Sequence, residues 1–273
     1  MKISFLTLAC LLLLEVGLPA AACAVPGPAG ARAGALSGAS LGLTDVWAVS
    51  NNIAGIAALK KPALGAWAEN RFNLKAFMTV ACQGVVPLKA GTGLGLEFSR
   101  FGDKIYHEQQ IGLGLGHQLG PVRLGFKATL WQVSLQDLGS KKALAFSFGG
   151  QSEVIPHLVF AAHVFNLNQA RLAEYQQERL PTVMGAGLTY QPATRLLLTV
   201  QTEKDITMPV EVKAGVEYVL MDKLALRAGA SPSRKSLSGG VGWQAKALQI
   251  DYALGGHNAL GLRNQVSVGY LFP

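Results

Sequence analysis

The chain is 273 residues long, 50% hydrophobic and only 15% charged, against about 25% charged in an average soluble domain. That composition suits a membrane, yet past residue 25 no apolar run approaches the roughly 18 to 20 residues a helix needs to cross a bilayer, which excludes a helical membrane protein. The formal net charge of +8 does not point to nucleic acid, because Lys and Arg form no run and no aromatic residues interleave a basic patch; anionic lipid head groups or acidic ligands are the better use of it.

The first 24 residues read as a secretory signal. Met1-Lys2 gives a positive start, Ile3 to Leu14 an apolar centre, Pro19 a break, and Ala22-Cys23-Ala24 an A-x-A-like cleavage site, with Glu15 as an irregularity. A competing reading takes Ala20-Ala21-Ala22-Cys23 as a lipoprotein signal that leaves Cys23 acylated. With Cys10 and Cys23 removed, Cys82 is the one cysteine left and no intramolecular disulfide forms.

Residues 25–62 do not alternate; they are rich in Gly and Ala and end at Lys60-Lys61-Pro62. Gly38-Ala39-Ser40-Leu41-Gly42 matches the G-x-S-x-G elbow of hydrolases but lacks the strand before and helix after it that the motif needs. The tract is either a disordered periplasmic tail or a plug tucked into a barrel lumen.

From residue 63 onward the chain falls into segments of about ten residues with period-two alternation, separated by turn residues, as in a transmembrane β-barrel. In 209–219, for example, Val210, Val212, Ala214, Val216 and Tyr218 alternate with Glu211, Lys213, Gly215 and Glu217. Strands are expected at 63–72, 76–88, 91–101, 105–119, 121–135, 141–153, 156–166, 181–191, 194–204, 209–220, 222–231, 236–245, 246–255 and 262–272. The fold class is therefore all-β, an antiparallel transmembrane barrel of about 14 strands. With residue 63 on the periplasmic side, the even-to-odd connections are short periplasmic turns, and the longest connection, 167–180, is extracellular. Inward glycines such as Gly112, Gly114, Gly116, Gly185 and Gly187 leave room for backbone, and a barrel of this width is too wide for side chains alone to fill, so the plug is the favoured reading of 25–62.

The inward face carries Glu97, Arg123, Lys127, Glu203, Glu211, Lys213, Glu217, Lys223, Arg227 and Asp251. Both signs occur, so the set reads first as a mutually neutralising network; the functional alternative has Arg123, Lys127, Lys213 and Arg227 attract an anionic head group. Cys82 shares a face with Met78 and Val80 and points to lipid. His157 and His163 lie roughly 20 Å apart along one strand at about 3.3 Å per residue and share no metal. Asn168 to Arg179, with Arg171, Glu174 and Tyr175 between them, is expected to form a short extracellular helix and to be the loop that touches a partner; the alternative is a solvated lid with no partner.

Gly30-Ala31-Arg32, Gly38-Ala39, Asp45 and Asn52-Ile53-Ala54-Gly55-Ile56-Ala57, followed by Arg227-Ala228-Gly229, Asp251-Tyr252-Ala253 and Val266 to Phe272, together resemble the FadL-like outer-membrane barrels, in particular the PorV/PorQ branch linked to type IX secretion. Ser37, Val46 and Ile53 depart from the pattern, Ile53 standing where that family has Pro. The resemblance covers essentially the whole exported chain and implies a 14-strand barrel with an N-terminal luminal segment, in which Arg32, Asp45, Asn52 and Gly55 carry the plug motif.

The expected organisation is a signal peptide at 1–24, a plug-like segment at 25–62 and a transmembrane barrel at 63–273 in the outer membrane of a Gram-negative bacterium, without cofactor or catalysis. Short extracellular connections tilt the reading towards an accessory barrel of a secretion-type assembly; the alternative is a passive channel for hydrophobic small molecules such as fatty acids. The expected partners are outer-membrane lipid and lipopolysaccharide and another outer-membrane or secreted protein, with a hydrophobic small molecule under the alternative, and no nucleic acid.

Overall fold

A computed structural model describes residues 27–89, 91–172, 179–257 and 261–273. The signal-peptide and Cys23 readings lie outside these residues, as do Glu174 and Tyr175.

Fourteen antiparallel strands close into one barrel: β1 (Ala63–Arg71), β2 (Met78–Pro87), β3 (Thr92–Gly102), β4 (Tyr106–Leu119), β5 (Val122–Leu135), β6 (Gly139–Ile155), β7 (Leu158–Phe165), β8 (Val183–Ala193), β9 (Leu196–Asp205), β10 (Glu211–Met221), β11 (Leu224–Ser231), β12 (Ser236–Ala245), β13 (Leu248–His257) and β14 (Gly261–Leu271). Each strand pairs with its sequence neighbours, and β1 pairs with β14 from Ala63–Leu271 to Arg71–Arg263 to close the ring. Closure satisfies every sheet edge, which is what lets backbone cross hydrocarbon. The strands match the sequence expectation to within a few residues at each end.

Alternation sorts the side chains. On β10, Val212, Val216 and Tyr218 are exposed while Glu211, Lys213 and Glu217 are buried; on β13, Ile250, Tyr252 and Leu254 are exposed and Asp251 and Ala253 are buried. The exposed face is thus apolar and the buried face polar or small, the inverse of a soluble sandwich, and this is the face a barrel presents to lipid. Cys82 is on that outer face, as expected.

At one end of the barrel the connections are the short turns 88–91, 120–121, 156–157, 194–195, 222–223 and 246–247; at the other they include 72–77, 206–210 and the long 166–182. Lys223 falls in the 222–223 turn and is exposed, so it does not belong to the inward set. Alternation extrapolated one residue past the start of β11 misplaced it. His157 is likewise in a turn, with φ +69°, and is not on the strand with His163.

Residues 27–58 run inside the ring. They form two short helical turns, α1 (Ala31–Ala35) and α2 (Ala48–Asn51), and a 3₁₀ stretch from Ile53 to Ala58. Trp47, Val49, Ile53 and Ile56 bury with Trp67, Ala81 and Val85 of β1 and β2, while Ala31 and Ala35 bury with Ala253 of β13. Glycines on the wall admit this packing: a Cβ at Gly125 would stand 2.7 Å from the Ala54 nitrogen and the Ile53 carbonyl carbon, closer than real Cβ atoms come. Gly114 and Gly116 face Ile53 and Ile56 in the same way, and Gly229 faces the Leu36–Ser37 backbone. Gly187 is small for a different reason, the approach of Val200 and Gln201 on its own neighbouring strand.

Candidate functional site: the barrel lumen

Polar side chains on alternate inward positions fasten the internal segment. The Asn52 side chain accepts from the Ala54 amide at 3.3 Å and donates to the Leu41 carbonyl at 2.9 Å, capping the 3₁₀ stretch and tying it to the turn before α2. Gln151 of β6 donates to the Leu41 and Leu43 carbonyls, and Gln201 of β9 accepts from the Ser40 and Leu41 amides. Ser267 of β14 accepts from the Ala31 amide. The Ser40 hydroxyl donates to the Gly38 carbonyl, so the G-x-S-x-G match is a fastened luminal turn. Gly55 is required by close approach, since a Cβ there would meet the Leu43 carbonyl oxygen at 2.7 Å.

The inward charges assemble into ion-paired groups. Arg32, from the segment, makes a two-point contact with Glu217 at 2.8 and 2.7 Å and reaches Asp45 at 3.2 Å. Burial works against the Arg32 charge, but Glu217 and Asp45 more than offset it and hold its pKa above the ordinary arginine value. Glu217 also accepts from Arg227 at 2.5 Å, and Arg227 donates to Asp251 at 2.7 Å. Across β9 and β10, Lys213 lies 2.6 Å from Glu203 and 3.7 Å from Glu211, which also receives Arg234 at 2.8 Å. Across β3 and β5, Lys127 donates to Glu97 at 2.8 Å. Arg123 is paired with no carboxylate among these contacts; it donates to Gln151 at 2.9 Å.

Above the segment, towards the long connections, remains a cavity of about 140 Å³. Trp67, Phe101 and Phe165 supply aromatic surface, Arg71, Lys127 and Lys213 cations, and Glu97, Glu108 and Glu203 carboxylates. Residues 166–172 and 179–182 pack against this end: Leu172 and Leu180 bury with Trp131 and Phe165, and the buried Asn166 donates to the Leu180 carbonyl at 2.9 Å while accepting from the Ala170 amide. Arg171 and Arg179 form a bridge between the two arms of the loop, and Asn168 pairs with the backbone of β6.

The sequence-expected luminal residues, Lys223 apart, are therefore gathered on the inward face. Glu69, charged and at an inward position of β1, carried the same signal as the expected set and was missed, whereas reasoning from charge had no hold on Gln83, Gln151, Gln201, Ser267, Trp67 and His163. Their signal was parity alone, since each occupies an inward position of its strand. Of the tryptophans, Trp47, Trp67 and Trp131 are buried inside, and Trp243 is on the outer face.

No protein-family model matches the sequence, and no curated relative does. Solved structures do match the fold. The chain is similar to a monoaromatic hydrocarbon channel, CymD (TM-score 0.68, 11% identity, 89% of this chain and 97% of that one). It is similar to the Pseudomonas putida toluene transporter TodX (0.68, 13%, 89% and 98%). It is similar also to a Pseudomonas aeruginosa FadL homologue (0.63, 15%, 91% and 99%). At these identities the likeness is one of fold.

Proposed function

We propose that the protein is an outer-membrane channel that passively admits small hydrophobic molecules. The observation that carries this reading is the luminal cavity, walled by aromatic and ion-paired side chains and resting on an internal segment, within a barrel whose fold is shared with hydrocarbon channels. Hydrophobic cargo needs such a route because a lipopolysaccharide leaflet resists apolar solutes, while a water-filled pore gives them no favourable surface. The accessory-barrel reading now stands second. It rests on the short connections at the long-loop end, which leave a low surface for a protein partner. Native purification from outer membrane separates the two: the channel reading expects a lone barrel that speeds uptake of small apolar compounds by cells expressing it. A stoichiometric protein partner with no change in uptake would reverse the order.

A further inference from the structure

The outer face of β3 to β6 changes character between two register rows. Phe98, Ile111, Leu130 and Leu144 pair in sequence across the four strands and are all exposed. One step further towards the long connections the row is Arg100, Gln109, Gln132 and Lys142. The residues beside them on each strand, such as Ser99, Phe101, Glu108, Trp131 and Ala143, face the lumen or are buried, so alternation turns this row outward too. β4, β5 and β6, at 14, 14 and 17 residues, carry the row and the polar His107, Ser134 and Ser140 beyond it.

The charges of this row are uncompensated. No carboxylate holds an outward position on these four strands. Of the acids in their turns, Asp103 is occupied by the Ile105 and Tyr106 amides, and Asp137 stands at the β5–β6 tip. Among the described residues Arg100 and Lys142 make no ion pair or side-chain hydrogen bond, whereas Lys127, Lys213 and Arg227 inside are each paired with a carboxylate. Of the two amides between them, Gln132 donates one N–H to Ser134 at 3.2 Å. The opposite wall differs: outward positions near this end are Met184, Val212, Ala230 and Leu254, and the one outward cation described there, Lys204, donates to the Met208 carbonyl.

An outward cation is costly at the bilayer midplane and nearly free at the head-group level. What meets this face is therefore apolar along the strands and anionic above them. The leaflet around the long-connection end of an outer-membrane barrel supplies such a molecule in lipid A, the phosphorylated, multiply acylated anchor of lipopolysaccharide. The Arg100 guanidinium presents a fork suited to phosphate, Lys142 a point charge, and the amides supply N–H donors for sugar oxygens. Three strand spacings of about 4.8 Å set the two cations' backbones roughly 14 Å apart, a span for a disaccharide head group rather than a single phosphate. Acyl chains would lie on the Phe98 to Leu144 row and on the stacked Phe126–Phe146 pair below it.

We infer that the outer face of β3 to β6 is a docking site for one lipid A molecule, its phosphates on Arg100 and Lys142. The site does not depend on what passes through the lumen; it rests on an outer-membrane barrel whose long connections are extracellular. The test titrates purified full-length protein in detergent with bis-phosphorylated lipid A, with lipid A stripped of its phosphates, and with phosphatidylglycerol, and counts bound lipid by native mass spectrometry. One lipid A is expected to stay bound, at least tenfold more tightly than either other lipid. Arg100→Gln combined with Lys142→Gln should weaken lipid A binding at least tenfold, since each cation beside an anionic lipid contributes about fivefold. Lys235→Asn, which removes an exposed cation on the β11–β12 turn across the ring, should leave it within about twofold. Should the double variant lose heat-modifiable migration, the two single variants carry the test, each with a several-fold loss. No retained lipid A, unchanged affinity in the variants, an equal loss in Lys235→Asn, or equal binding of dephosphorylated lipid A or phosphatidylglycerol overturns the inference.

Discussion

At the scale of single residues, the lumen is held by charges that have no water to fall back on. Arg227 is the clearest case, because its guanidinium joins Glu217 and Asp251 and its side chain is 4% exposed. Replacing it with Met leaves two buried carboxylates with a reduced counter-charge, and removal of one partner from a buried pair costs about 3–5 kcal/mol. Arg227→Met should therefore lower the denaturant midpoint measured by loss of heat-modifiable migration; an unchanged midpoint would show that Arg32 alone satisfies Glu217. The glycine wall gives a second residue-scale prediction. Gly125→Val places side-chain atoms where the Ile53–Ala54 backbone runs, and overpacking of this kind costs about 1–3 kcal/mol. Limited proteolysis should then cut within residues 27–58 faster in the variant than in the parent.

Among elements, the turns and the internal segment behave differently. The β3–β4 turn is organised by Asp103, whose carboxylate accepts from the Ile105 and Tyr106 amides at 2.8 and 3.0 Å. Those backbone N–H groups, Tyr106 first, hold its pKa below the ordinary aspartate value. A depressed carboxylate pKa means that its contribution is present above the unfolded pKa and is lost as pH falls through the folded one. The small stability difference between the parent and Asp103→Ala should accordingly shrink as thermal melts move from pH 7 to pH 3. The strands themselves were legible in the sequence because period-two alternation is local: Val212 and Tyr218 against Lys213 and Glu217 need no knowledge of the rest of the chain. The path of residues 27–58 was not. Ile53 reads as a departure from the motif, yet it is fully buried and fills the space left by Gly114 and Gly125, which lie some sixty residues or more downstream. Likewise Gln83 and Trp67 became site residues only once the register of β1 against β2 set them on one wall. Uncharged inward residues carry a parity signal and no chemical one, so charge-based reasoning passed them over.

For the molecule as a whole, the outer surface decides where the protein resides. Leu113, near the middle of β4, points outward and is about half exposed. Leu113→Arg should destabilise the barrel in lipid by about 2–4 kcal/mol if that belt lies at the bilayer midplane, and unfolding measured in vesicles rather than detergent is the appropriate check. A neutral result would place the belt nearer a head-group region. The ring closure bears on how the barrel comes into being. Residues 27–58 are enclosed by a wall whose seam joins the first strand to the last, and they contact strands from both halves of the chain. The segment precedes β1, yet its berth does not exist until β14 has been made. Assembly must therefore hold an open, curling sheet around the segment until the seam zips, so the last strand acts as the latch on a parcel already packed. Any factor that stays paired with either seam strand would keep the ring open.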